Sequence, residues 1–556
     1  MSGHEPAPDL IVRGGKIITL DRSSRMVEAL GVKDGRISAV GSEPEVLRSR
    51  GPATRIVDVS GKTVTPGFCD GHPHMDRSGL RQRGGISLDG CGSIAEILDV
   101  VRAAAESTPE GQWIVLMPMG TGPLSYVYRP DQLREGRFPT RHDLDAAAPR
   151  HCVYIRAPWA WWSHQPFPSV ASTRALEAAG VTRFTEAPHN VEVVRDAHGD
   201  PTGVFLDRNR APIVEYTLLA HVPRFTYEDR LASVRLGAAA YNAVGTTAGY
   251  EGHGLTPTLL DAYRHVHAAG DLTVRMQLSL SLPTAACDDR KTADILYHWT
   301  RLLGGRGTGD DVLRLEGVAF DIGDPQTAAI IARSYPYEQW AGHFLQALSH
   351  ERFVELGVLA ARLGLRVNCC VPYGLERVLR GYEAIDAQVS IRERRWVMSH
   401  VTEATSDQLR RMRALGVIAT VNPSFMYMAE DRFNLGALGE RGTPIRQLID
   451  AGIPVALSTD NVPNSMLFAM GQALTRWDAD SRSRLGESRL TREEVLRLAT
   501  VAGHLMTWEE DRRGALEPGR AADFVVLDGD PLTCEEEALA RIAVEQTYLG
   551  GRRVYP

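Results

Sequence analysis

The sequence predicts an α/β chain: a (β/α)8 TIM barrel with a composite β-sandwich domain drawn from both termini and an insertion after the first barrel strand. Three observations lead there. Eight largely apolar runs are spread along the middle of the chain, as strands buried on both faces require. Helical stretches that stop at a glycine separate the later runs, which gives βα spacing. The two ends read instead as short strands and turns, each too short to hold a core alone.

Residues 1–66 are the expected N-terminal part of the composite domain. DLIVRGGKIITLD alternates around Gly14-Gly15, which predicts a turn there; GRISAVG follows, and TRIVDVSGKTVTPGF predicts a hairpin with Gly61 at its turn. The barrel is expected over 67–500. Its candidate strands are GFCDGHPHM (67–75), TTAGYEGH (246–253), TVRMQLSLS (273–281), VLRLEGVAF (312–320), LRVNCCV (365–371), RWVMSHV (395–401), VIATVN (417–422) and PVALSTD (454–460). TSDQLRRMRALG and TPIRQLIDAG have the pattern of intervening helices. The excess length lies between the first and second strands, so 80–235, rich in Pro and Trp, is expected as an insertion over the barrel mouth. Residues 501–556 return to strands and turns and complete the terminal domain.

Composition narrows the function classes. At 556 residues the chain has room for two to four folded units. Hydrophobic residues at 43% and charged residues at 24% exclude disordered, collagen-like and coiled-coil chains. A net charge of −7 without an extended Lys/Arg cluster argues against nucleic acid as a partner. No run approaches the ~18 apolar residues of a membrane span. MSGHEPAPDL lacks the basic head and apolar run of a signal peptide, and seven cysteines without framework spacing suit reduced thiols. The expectation is a large cytoplasmic enzyme acting on a small molecule.

Polar residues gather where the strands end, the face on which barrel active sites lie. His72 and His74 stand at i and i+2, so both imidazoles can reach one metal. His400 ends the sixth run, and Asp460 the eighth. Two histidines joined by a third and an aspartate at other strand ends point to metal binding. The fifth run ends in Asn368-Cys369-Cys370, where neighbouring side chains face opposite ways and only one thiol can point inward. Glu251, His253 and Asp321 are further donors at strand ends. In the insertion, Trp159, Trp161 and Trp162 beside His164 are candidates for an aromatic substrate-binding wall; a packing cluster is the other reading. Tyr126, Tyr128 and Phe425 are weaker wall candidates, and Arg156 and Arg208 are candidate carboxylate binders.

GKTVTPGFCDGHPHM, the SH at His400, the STD at Asp460 and the closing GALEPGRAADFVVLDGDP resemble the metal-dependent amidohydrolase superfamily. STRALEAAGVTRFTEAP, DAHGDPTGVFLD and PIRQLIDAGIPVALSTDNVP resemble its amidohydrolase-3 (YtcJ-like) branch. The resemblance implies a barrel with a composite β domain and a divalent metal that activates water. Carried over by position, His72 and His74 are first-strand ligands, His400 is the sixth-strand histidine, and Asp460 is the metal-binding base. Two positions depart from the family. Ala319 stands in Gly317-Val318-Ala319-Phe320-Asp321 where two-metal members carry a carboxylated lysine, and Cys370 (or Cys369) stands nearest the fifth-strand histidine.

These departures make one metal the simpler reading, held by His72, His74 and Asp460 with His400 or the Cys370 thiolate. Zinc is the expected ion, with manganese, iron or cobalt as alternatives. The expected reaction is hydrolysis of a non-peptide C–N bond of an amide or cyclic amide, on a hydrophobic or aromatic substrate. Asp460 would act as general base and then acid, and the metal or His400 would polarise the carbonyl. Deamination, lactone opening or decarboxylation on the same barrel is the alternative, followed by a non-catalytic binding protein. Members of the superfamily often form dimers or higher oligomers, so a homo-oligomer is among the expected states.

Overall fold

A computed structural model describes residues 6–83, 85–121, 125–158, 163–209, 213–284, 287–323, 325–333, 342–344, 346, 348–371, 374–428, 438–479 and 481–556. The barrel strands are β1 (Phe68–Asp70), β2 (Thr246–Leu255), β3 (Arg275–Ser281), β4 (Leu313–Ala319), β5 (Val367–Cys370), β6 (Val397–Ser399), β7 (Ile418–Val421) and β8 (Val455–Leu457). They pair in parallel in sequence order from β1 to β8. The Gly71 amide donates to the Leu457 carbonyl at 3.0 Å and closes the ring between the last strand and the first. All eight apolar runs are therefore strands. Their parallel pairing puts every C-terminal end on one face, so His72, His74, His400 and Asp460 meet.

The helices form where sequence supplies both a start and a stop. Ser406–Leu415 begins with a capping box between Thr405 and Gln408 and ends at Gly416, whose φ of 66° continues the chain out of the helix. Its Leu409, Met412 and Leu415 are buried in the layer between strands and helices, the largest apolar core of the molecule. Two helices fix the loop after β1. Helix α1 (Met75–Arg83) lies on helix α2 (Tyr227–Asn242) with no room for side chains at the crossing. A Cβ on Gly79 would sit 1.9 Å from the Ser233 carbonyl, and one on Gly237 would sit 2.2 Å from that of Met75. Tyr241 of α2 donates its hydroxyl to the Pro73 carbonyl, between the two first-strand histidines.

The termini share one sheet, in the order Arg552–Tyr555, Val544–Leu549, Phe524–Leu527, Thr63–Pro66, Leu10–Ile18, Met26–Lys33, Arg36–Gly41. Two local expectations are corrected. Gly14-Gly15 makes no turn: Leu10–Ile18 is one strand whose register shifts between Arg13 and Ile17, a bulge that glycine accommodates. Nor does Gly61 turn a hairpin. Arg55–Asp58 and Thr63–Pro66 both pair in parallel with Leu10–Ile18, one after the other, so the glycine interrupts a single edge. Between β1 and α2 lies a second sheet, in the order Val191–Arg195, Pro201–Asp207, Phe167–Ala171, Cys152–Ile155, Trp113–Leu116, with apolar clusters of its own. Among the described residues no helix is long and apolar enough to cross a membrane.

His504, 2% exposed, gives the fold a pH dependence. Burial, helped by the nearby Arg513 guanidinium, pushes its imidazole down to about 3. The unfolded chain then takes up a proton near the ordinary value of 6.5 while the folded chain does not, so stability falls as pH drops from 6.5 towards 3. At pH 5 this amounts to about 2 kcal/mol. Urea unfolding of His504→Gln at pH 7 and pH 5 is expected to show a loss smaller than that of the parent by about this amount.

Candidate active site

The site sits at the C-terminal ends of β1, β2, β5, β6 and β8. His72 and His74 follow β1 and are 0% and 1% exposed, with ring centroids 4.4 Å apart. The carboxylate of Asp70 holds this turn by accepting from the His72 amide at 3.0 Å and from the Thr459 amide and hydroxyl at 3.0 and 2.5 Å. Strands β1 and β8 are thereby tied together on their polar face. Burial pushes the Asp70 carboxyl up to about 6 despite these donors.

His74 lies between two carboxylates. Its Nδ1 and its backbone amide each stand 3.0 Å from Glu251 Oε2, and its Nε2 stands 2.9 Å from Asp460 Oδ1. Glu251, at 0% exposure, orients the ring as a carboxylate behind a metal-ligating histidine does. Burial pushes Glu251 up to about 8; a cation beside His74 opposes that shift by favouring the carboxylate. His400 gives its Nδ1 to Asn422 Oδ1 at 2.6 Å, which leaves Nε2 as the other nitrogen, and its ring lies 4.4 Å from that of His72. Four residues of this face hold positive φ: His74 (48°), His400 (64°), Asp460 (51°) and Asn461 (62°). Such backbone costs about 1–3 kcal/mol each and clusters where side chains must be aimed.

The two cysteines part as strand alternation requires. Cys369, 1% exposed, joins the apolar core outside the barrel. Cys370 points inward, and its sulfur joins His72 and His400 in a group whose donor atoms lie within 4.8 Å of one another. A second such group is His72, His74 and His253, the last from β2. Asp321 joins neither. Burial holds the imidazoles of His72, His74 and His253 well below the ordinary histidine range, so each keeps a neutral lone pair. Neither ring nitrogen of buried His72 has a hydrogen-bond partner among the described residues. An imidazole with two bare nitrogens out of water is costly, and a divalent ion is a partner that this donor set fits.

The predicted residues divide clearly. His72 shares one donor group with His400 and Cys370 and another with His74, and Asp460 meets His74 at 2.9 Å outside both groups. Trp159, Trp161 and Trp162 lie outside the described residues. His164 is buried with its ring 4.4 Å from Tyr128. Phe425 stacks on His400, with centroids 5.5 Å apart at 25°, and gives the site one aromatic surface. Both arginine candidates meet a carboxylate of this chain. Arg156, 1% exposed, forms an ion pair with buried Glu215 and lies over the Phe225 ring at 4.9 Å; Arg208 pairs with Glu192 at the surface. Removing one partner of a buried pair strands the other charge, so Glu215→Gln is expected to cost about 3–5 kcal/mol in urea unfolding. Glu192→Gln, at the half-exposed pair, is expected to cost under about 1 kcal/mol.

Sequence reasoning missed Asn422, Thr459 and His343. The first two are polar residues at strand ends, a signal that was available. His343, which meets Arg77 Nη2 at 2.9 Å and the His253 ring at 4.0 Å, lies in no recognisable pattern.

Comparison with known proteins agrees with this architecture. The amidohydrolase-3 profile, described as the amidohydrolase family, matches residues 55–555. The N-substituted formamide deformylase of Arthrobacter pascens is 26% identical over 98% of this chain and 97% of its own. An uncharacterised metal-dependent hydrolase from Pyrococcus horikoshii OT3 superposes with a TM-score of 0.67 at 20% identity, over 95% of this chain and 99% of its own. The zinc complex of atrazine chlorohydrolase TrzN from Arthrobacter aurescens TC1 gives 0.52 at 15% identity, over 98% and 95%. The family match takes in the whole barrel, the sheet between β1 and α2 and the later strands of the terminal sheet, and the protein belongs to the amidohydrolase family, hydrolases of carbon–nitrogen bonds.

Proposed function

We propose that this amidohydrolase cleaves the C–N bond of an N-substituted amide carrying an apolar or aromatic group, with an N-substituted formamide as the first substrate class to test. The observation that carries the metal-dependent reading is His72: fully buried, without a hydrogen-bond partner among the described residues, and shared by two groups of donors. His72, His74 and Asp460, with His400 or Cys370, would hold one divalent ion, zinc being the ion that best suits nitrogen, oxygen and thiolate donors together. When bound, the ion makes water nucleophilic at neutral pH and polarises a carbonyl.

The chain's own residues supply the rest. A carboxylate oxygen of Asp460 takes the proton of the attacking water and returns it to the departing nitrogen, which leaves as a neutral amine. Asp460 is fixed for this by its backbone amide, which donates to the His72 carbonyl at 2.9 Å. His400, oriented by Asn422, presents Nε2 to the substrate carbonyl oxygen as negative charge develops there. Phe425, stacked on His400, offers an apolar face to the substituent. Whole-length similarity to a formamide deformylase supports the small acyl group.

The test is a panel of N-benzyl, N-aryl and N-alkyl formamides with the matching acetamides, assayed on zinc-loaded protein for amine and carboxylate release. Turnover is expected to favour the formamides with apolar substituents. A fully metal-loaded protein that turns over none of them would reject this substrate class.

A further inference from the structure

Just before its last residue, Leu255, strand β2 carries Gly252-His253-Gly254, and this segment leaves the ladder. Pairing with β3 runs from Ala248↔Arg275 to Glu251↔Leu278, then resumes at Leu255↔Leu280, so residues 252–254 form a bulge. Both glycines are required by close approach. A Cβ on Gly252 would lie 2.7 Å from Asn368 Oδ1 of β5, and one on Gly254, at φ +80°, would lie 2.9 Å from the Ala319 Cβ of β4. The bulge therefore lies against the ends of β3, β4 and β5, and β4 presents only the Ala319 methyl group to it. A longer side chain at 319 would occupy the same space. Bulges of this kind re-aim a side chain, and the one re-aimed is His253. Its ring centroid lies 5.4 Å from that of His74 and 5.9 Å from that of His72, and its Nδ1 is buried without a hydrogen-bond partner among the described residues.

We propose that His253 is a metal ligand, delivered by the β2 bulge into the room left by Ala319. Its donor atom and those of His72 and His74 lie within 4.8 Å of one another. These three nitrogens suit an ion that keeps a coordination position open, and Asp460 Oδ1, 2.9 Å from His74 Nε2, lies beside them. The ion is thus held chiefly by residues at the ends of β1 and β2, and Cys370 and His400 form the other donor group that shares His72. This inference rests on the metal-dependent reading of the site and adds to it a ligand from a strand whose motif did not mark it as one.

The test uses the full-length chain stripped of metal and titrated with cobalt(II), read by visible absorption and by competition with a chromophoric chelator. Far-ultraviolet circular dichroism confirms that each variant is folded. His253→Ala is expected to weaken cobalt binding by at least about 10–100-fold and to change the absorption bands. His253→Asp, which restores a donor, is expected to recover affinity with a different spectrum. Gly254→Val, which keeps the imidazole but cannot seat the bulge, is expected to weaken binding as His253→Ala does. Parent-like affinity and spectrum in His253→Ala would overturn the assignment while leaving the metal centre intact. A parent chain that binds no cobalt would instead overturn the metal-dependent reading itself.

Discussion

Asp460→Asn is expected to lower kcat/KM by about 10²–10⁴-fold, the usual contribution of a positioned general base, when measured at saturating zinc. The amide is isosteric and keeps an oxygen that can face His74, so the backbone bond from residue 460 to the His72 carbonyl and the local fold are expected to persist. What is lost is the group that takes the proton from water and returns it to the amine. The loss should fall on kcat more than on KM, because the proton transfer belongs to the transition state. Steady-state kinetics on any amide the parent hydrolyses checks this. A variant retaining parent kcat would assign Asp460 to metal binding alone and move the base elsewhere, with Glu251, which meets the other nitrogen of His74, the next candidate.

His72→Ala is expected to have the larger effect. This ring belongs to both donor groups, so its removal opens both at once. Metal content is expected to fall from about one equivalent to near none, and turnover to fall to background. The folded state should survive better than for most buried truncations. The lost ring makes no hydrogen bond among the described residues, and the turn is held by the His72 amide and Asp70, which alanine retains. Elemental analysis beside a thermal melt separates loss of metal from loss of fold. Retained zinc in the variant would show that His74, His253 and Asp460 suffice.

Much of the architecture is written in periodicity. The eight barrel strands are largely apolar runs, mostly buried on both faces, and helices such as Ser406–Leu415 carry their own start and stop residues. The same logic found the ligand candidates, since residues at parallel strand ends must share a face. It also separated Cys369 from Cys370, because alternation leaves only one of them inside. The bulges escaped. At Gly14-Gly15 and Gly252-His253-Gly254, glycine marks a departure from the ladder, and sequence alone does not tell a bulge from a turn. Pairing decides it, and pairing is non-local: the strand at Leu10–Ile18 stays continuous because Arg55–Asp58 and Thr63–Pro66 line its edge in succession. Arg156 misled for a similar reason. A long cation in an insertion reads as a ligand for substrate, but its partner Glu215 lies 59 residues away in sequence. Glu251 and His343 act through contacts of the same long range, which no spacing rule reaches.

The most direct test of a metal-dependent site centred on His72 is a zinc titration of the stripped, full-length protein, with amide hydrolysis followed at each addition. No activity is expected without metal, followed by a linear rise that reaches its plateau at about one equivalent. Full activity in the stripped protein, unchanged by added zinc, would contradict it.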